Sequence, residues 1–113
     1  MRNLLIIALM LFGVTLSAQT KNKNARHDIA VAGNCEMCKK RIEKAAFSVS
    51  GVKSAQWHAD DQTLHIILNE EKSSTKQVAE AVAKSGHDAG EIKASDKDYQ
   101  ALHGCCKYDR KQE

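Results

Sequence analysis

The chain has 113 residues, 42% of them hydrophobic, with a formal net charge of +3, four cysteines and no proline. That length supports one domain, and the charge is too small for a nucleic-acid surface. No basic-aromatic stripe, Gly-rich phosphate loop or Ser–His–acid grouping stands out, so no enzyme class is indicated.

Residues 1–18 read as a cleaved export signal. Arg2 is the basic end, an apolar run extends from Leu4 to Leu16, and Thr15-Leu16-Ser17-Ala18 ends in small residues, with cleavage expected after Ala18. The run is short for a membrane span, which needs about 20 residues. The expected location is therefore secreted or periplasmic, with no membrane attachment once the signal is removed. Disulfides can form in such a compartment. Residues 19–25 are polar and read as a loose leader.

Residues 26–94 carry the folding pattern. In 27–32, Ile29 and Val31 alternate with other residues as in a half-buried strand. In 38–49, Ile42, Ala45, Ala46 and Val49 form one apolar helical stripe, which Ser50-Gly51 ends. Residues 52–58 form a second strand with Ala55 and Trp57 on one side. Residues 63–68 form a third, with Leu64, Ile66 and Leu68 inward, and the polar turn 59–62 makes the two a hairpin. Ser74 and Gln77 predict a capping box for a helix reaching Ser85, with Val78, Ala81 and Val82 on its inner face. Gly86 fits the left-handed position after that helix. Residues 89–93, around Ile92, predict a weak fourth strand.

The order is βαββαβ, the ferredoxin-like arrangement of one antiparallel sheet with two helices on one face. A C-terminal tail, residues 95–113, follows. In it Tyr99, Leu102 and Cys105 or Cys106 recur at roughly helical spacing, which fits a short helix against the sheet or a disordered segment.

The chemistry centres on Cys35-Glu36-Met37-Cys38, at the turn from the first strand into the first helix. Three-residue spacing can aim both sulfurs at one point. Free N–H groups and the positive end of the helix dipole favour thiolate there. Thiolates bind soft ions, and Cu(I), Hg(II), Cd(II) and Zn(II) all suit them. Lys39, Lys40, Arg41 and Lys44 crowd the same helix, either as a solvated face or as cations that favour thiolate and attract an acidic partner. The competing reading of the thiols is a redox pair that cycles between dithiol and disulfide.

Cys105 and Cys106 lie after His103-Gly104 and rarely bridge each other without strain. They fit a second soft-metal site, extra ligands to the first, or a disulfide to the Cys35–Cys38 pair.

Cys35-Glu36-Met37-Cys38, the helix through Ile42, Gly51-Val52 and Lys84-Ser85-Gly86-His87 together resemble the heavy-metal-associated domain family. That family includes copper chaperones, N-terminal domains of copper-exporting ATPases and the periplasmic mercury-binding protein. The resemblance spans residues 26–93. It implies that Cys35 and Cys38 are metal ligands at the surface, with Cu(I) the expected cargo. It also implies that the loop bearing His87 lies beside the metal. His87 stands where many relatives have Tyr or Lys, as a third ligand, a hydrogen-bond donor to a thiolate, or a solvated loop residue. Gly33-Asn34-Cys35 is one residue shorter than the family's usual approach and lacks its loop methionine. The methionine between the cysteines, here Met37, is a packing residue in the family and points away from the site. The implied function is binding and transfer of the ion by thiol exchange, without enzymatic turnover. A metal-transporting ATPase or another thiol-rich acceptor is the implied partner. A module in which metal only gates docking is the remaining alternative.

Overall fold

The computed structural model describes residues 21–110. The expected export signal and its cleavage point lie outside the described residues.

Three strands form the sheet: β1 (Ala25–Ala30), β2 (Val52–His58) and β3 (Thr63–Leu68). Their order is β1-β3-β2, all antiparallel, with Ile29 opposite Leu64 and Trp57 opposite Leu64 from the other side. Helices α1 (Glu36–Phe47) and α2 (Thr75–Lys84) pack on one face of it and against each other. This is the ferredoxin-like layering. Alternation explains which side each residue takes. Ile29, Ala55, Trp57, Leu64, Ile66 and Leu68 are buried under the helices, while Arg26, Asp28 and Gln56 lie on the open face.

The first strand starts at Ala25, earlier than the sequence suggests, because Ala25 and Arg26 pair with Leu68 and Ile67. Helix α1 likewise starts at Glu36, which places Cys38 inside its first turn. Ser74 caps α2 by accepting from the Gln77 amide, and the Gln77 side chain accepts from the Ser74 amide in return. Its buried face is Val78, Ala79, Val82 and Ala83, turned one residue from the expected stripe so that Ala81 is only half-buried.

The expected fourth strand is reduced to two isolated bridges, Val31 to Ala89 and Ala89 to Ile92. Gly90 at φ +58° turns the chain, so Ala89 and Ile92 bond to each other and the run ends before it can pair along β1.

The tail folds onto the domain in its described part. A short helix α3 (Asp96–Gln100) is capped by Ser95, and a 3-10 turn (Gly104–Cys106) follows. Leu102, Cys106 and Tyr108 are buried in the main core. The tail sits so close to the end of α2 that a Cβ on Gly86 would lie 2.7 Å from Leu102. Gly86 also has φ +108°, which a side chain would strain. No helix among the described residues is long and apolar enough to cross a membrane.

Candidate metal centre

Cys35 is the N-cap of α1, in extended backbone, and Cys38 lies on the helix's first turn. The loop before them crosses Trp57. A Cβ on Gly33 would meet the Trp57 ring at 3.0 and 3.1 Å and the Cys38 Cβ at 3.2 Å. Only glycine fits there without displacing one of them. Trp57, rather than a loop methionine, packs beneath this loop, and its indole N–H donates to the Val31 carbonyl at 2.9 Å.

All four cysteines are free. The Cys35 and Cys38 sulfurs are 3.8 Å apart. Cys35 is half-buried and Cys38 is fully buried. The first-turn amides, that of Cys38 foremost, lower the Cys35 pKa to about 7. Burial raises the Cys38 pKa to about 11. One thiol of the pair is thus poised as a thiolate near neutrality, and the other stays protonated until a base removes its proton or a metal ion displaces it.

The tail brings Cys105 and Cys106 onto the same spot. The sulfurs of Cys35, Cys105 and Cys106 all lie within 4.8 Å of one another. Cys105 and Cys106 are 3.9 Å apart, the first exposed and the second buried. The Cys35 thiol donates to the Cys105 carbonyl at 3.6 Å and the Asn34 side-chain Nδ2 to the same oxygen at 3.5 Å. Met37, expected to point away, is exposed, and its sulfur accepts from the Cys105 thiol at 3.6 Å. Arg41 reaches in beside Cys106, and its Nη1 is buried without a hydrogen-bond partner among the described residues. In the sequence Arg41 stands only as one of several basic residues on α1. Its place beneath the thiols depends on where the tail docks.

His87 lies outside this cluster of close sulfurs, and it is not solvated. Its Nδ1–H donates to the Ala32 carbonyl at 2.8 Å. Burial lowers its pKa. The Nε2 lone pair is enclosed with no partner among the described residues. The ring stacks on Tyr108 and fills the space between the α2 end and the motif loop. His87 is therefore buried against the motif loop rather than standing as a solvated loop residue. Tyr108 of the tail covers one face of the ring.

Beside Cys35, an open groove is lined by Asn34, Glu36, Lys39, Trp57 and His58. Lys39 is tied to Glu43 and to the Trp57 carbonyl, so it is less a free surface charge than a brace for the groove wall. Cys35 is the cysteine that an incoming group meets along this route.

No family model matches the chain. A curated relative, the copper chaperone CopZ of Staphylococcus epidermidis, is 29% identical over 55 residues, 49% of this chain and 81% of CopZ. Among solved structures, the N-terminal domain of a potential copper-translocating P-type ATPase from Bacillus subtilis, solved in its Cu(I)-loaded state, is 26% identical with a TM-score of 0.57. The match covers 65% of this chain and 92% of that one. The copper chaperone of Enterococcus hirae, in its apo form, is 25% identical with a TM-score of 0.54, over 58% of this chain and 97% of that one. In sequence and in fold, then, the chain is similar to copper chaperones and heavy-metal-associated domains.

Proposed function

We propose that the chain is an exported soft-metal carrier that binds Cu(I) through Cys35 and Cys38 and hands it on by thiol exchange. The observation that carries this reading is the pairing of two thiols 3.8 Å apart at a helix N-terminus, with Cys35 lowered to about 7. A thiolate available near neutral pH captures a soft ion without first losing a proton at high pH. The copper-chaperone relatives support the choice of ion. The groove beside Cys35 gives an acceptor thiol a path to the ion, so cargo can pass from sulfur to sulfur without release into water. No bond in a substrate is made or broken. A metal-transporting ATPase or another thiol-rich protein is the acceptor this mechanism requires, and the signal-like sequence of residues 1–18 supports a secreted or periplasmic setting for the exchange.

The test is to mix the reduced, Cu(I)-loaded chain with a thiol-rich acceptor. The ion should move at a rate that rises with acceptor concentration. Transfer at a fixed rate, set by spontaneous release, contradicts direct exchange.

The redox alternative has one observation in its favour, the split between Cys35 at about 7 and Cys38 at about 11. The Cys35 thiolate would attack a substrate disulfide, and Cys38 would then displace it, leaving a Cys35–Cys38 disulfide and a reduced substrate. The chain has no proline to face the motif. Turnover of a disulfide substrate with a dithiol, free of metal, would favour this alternative over the carrier.

A further inference from the structure

A two-thiolate carrier needs nothing beyond its Cys-x-x-Cys pair, yet this chain delivers two further thiols to the same point and fixes them from both sides. Leu102 before them and Tyr108 after them are buried. The Tyr108 hydroxyl accepts from the Asp88 amide and donates to the Gly86 carbonyl, each at 2.9 Å. The Tyr99 hydroxyl donates to the Tyr108 carbonyl at 2.6 Å. Arg110 clamps Asp88 at 3.0 Å and Asp96 at 3.1 Å, and it lies over the Tyr99 ring. Cys105 and Cys106 are thus held in place by the fold.

Sulfur spacing decides what such a cluster can hold. With metal–sulfur bonds of about 2.3 Å, a linear pair needs sulfurs about 4.6 Å apart, whereas three in a plane need about 4.0 Å and four in a tetrahedron about 3.8 Å. The observed 3.8 Å for Cys35 and Cys38 and 3.9 Å for Cys105 and Cys106 fall at the closer spacings. The trio of Cys35, Cys105 and Cys106 lies within 4.8 Å. Shifts of less than an ångström would bring three sulfurs around one ion.

We propose that Cys105 and Cys106 join the Cys35–Cys38 pair in a centre of three or more thiolates for a soft ion, and that the tail is a latch that must open for the ion to leave. This rests on the carrier reading and adds to it a specific coordination and a control on release. A closed centre retains the ion more tightly than the pair alone. An acceptor must displace the tail thiols before it can take the cargo from Cys35.

The test is X-ray absorption on the reduced, Cu(I)-loaded full chain, counting sulfur neighbours per ion. Three or more are expected, and a count of two in the wild-type chain overturns the proposal without any variant. The Cys105→Ser/Cys106→Ser variant should drop the count to two, bind Cu(I) about tenfold or more weakly against a competing chelator, and release it faster. Cys105→Ser alone, at an exposed position, should move the same quantities in the same direction if Cys106→Ser perturbs folding. Unchanged affinity and release in both variants defeat the latch and leave the two-thiolate carrier standing. Absence of stoichiometric Cu(I) binding by the wild-type chain defeats both.

Discussion

The Tyr108 ring stacks on that of His87, with centroids 5.5 Å apart and planes 24° from parallel. A tail residue thereby covers a histidine that is bonded to the metal-site loop at the Ala32 carbonyl. Burial lowers the His87 pKa below its ordinary 6.5, so the folded chain resists protonation while the unfolded chain accepts it. Stability should hold above pH 6.5 and fall as the pH drops from there toward the depressed folded value. Urea melts across that range should show a loss that His87→Gln lacks. A His87→Gln chain with the same pH slope as wild type would contradict the buried, neutral assignment.

Tyr108→Phe keeps the ring stack and removes the hydroxyl. The Asp88 amide and the Gly86 carbonyl then lose their shared partner. Leaving such groups unpaired costs about 1–3 kcal/mol. Each kcal/mol lowers the melting temperature of a domain this size by about 4–8 °C. Thermal melts should show the drop, and limited proteolysis should cut the tail near Lys107 sooner. An unaltered cleavage rate would mean that this hydroxyl does not hold the tail.

Thiolate, not thiol, reacts with alkylating agents. Cys35 should be modified with a midpoint near pH 7, losing reactivity as the pH falls below that value, whereas Cys38 should stay unreactive until the pH approaches 11. Mass spectrometry of iodoacetamide-treated chain, resolved by peptide, reads both. Equal rates at the two positions would remove the basis for treating Cys35 as the entry point.

Gly33→Ala drives a methyl group into the Trp57 ring and the Cys38 Cβ, at 3.0 to 3.2 Å. Overpacking of this kind costs about 1–3 kcal/mol. The loop should move away from Trp57, so Trp57 fluorescence should change, and Cu(I) affinity should fall with stability. Loss of stability with affinity intact would show that the loop tolerates displacement without disturbing the thiols.

Much of this arrangement is legible in the residues alone. The alternation around Trp57 and Leu64, the Ser74–Gln77 capping box and the spacing of Cys35 and Cys38 are local patterns, and local patterns survive folding. One departure is local, at Gly90, and the others are non-local. Gly90 turns the chain where a strand was expected, and the bridges at Ala89 are all that remain. His87 is buried because Tyr108, about twenty residues on, stacks over it, and no local signal announces that pairing. The same holds for Arg41 beside Cys106 and Met37 against Cys105, both of which meet tail residues across the fold. Cys105 and Cys106 were visible as cysteines. Their approach to Cys35 follows from Leu102, Tyr108 and Arg110, whose anchoring role the sequence does not display.

The most direct measurement is an anaerobic competition titration of the reduced chain with Cu(I), run alongside Cys35→Ser/Cys38→Ser. Wild type should outcompete a moderate chelator and take up the ion stoichiometrically, while the double variant should lose that capacity. Equal Cu(I) binding by the two chains would contradict the claim that the thiols at the head of α1 hold the cargo.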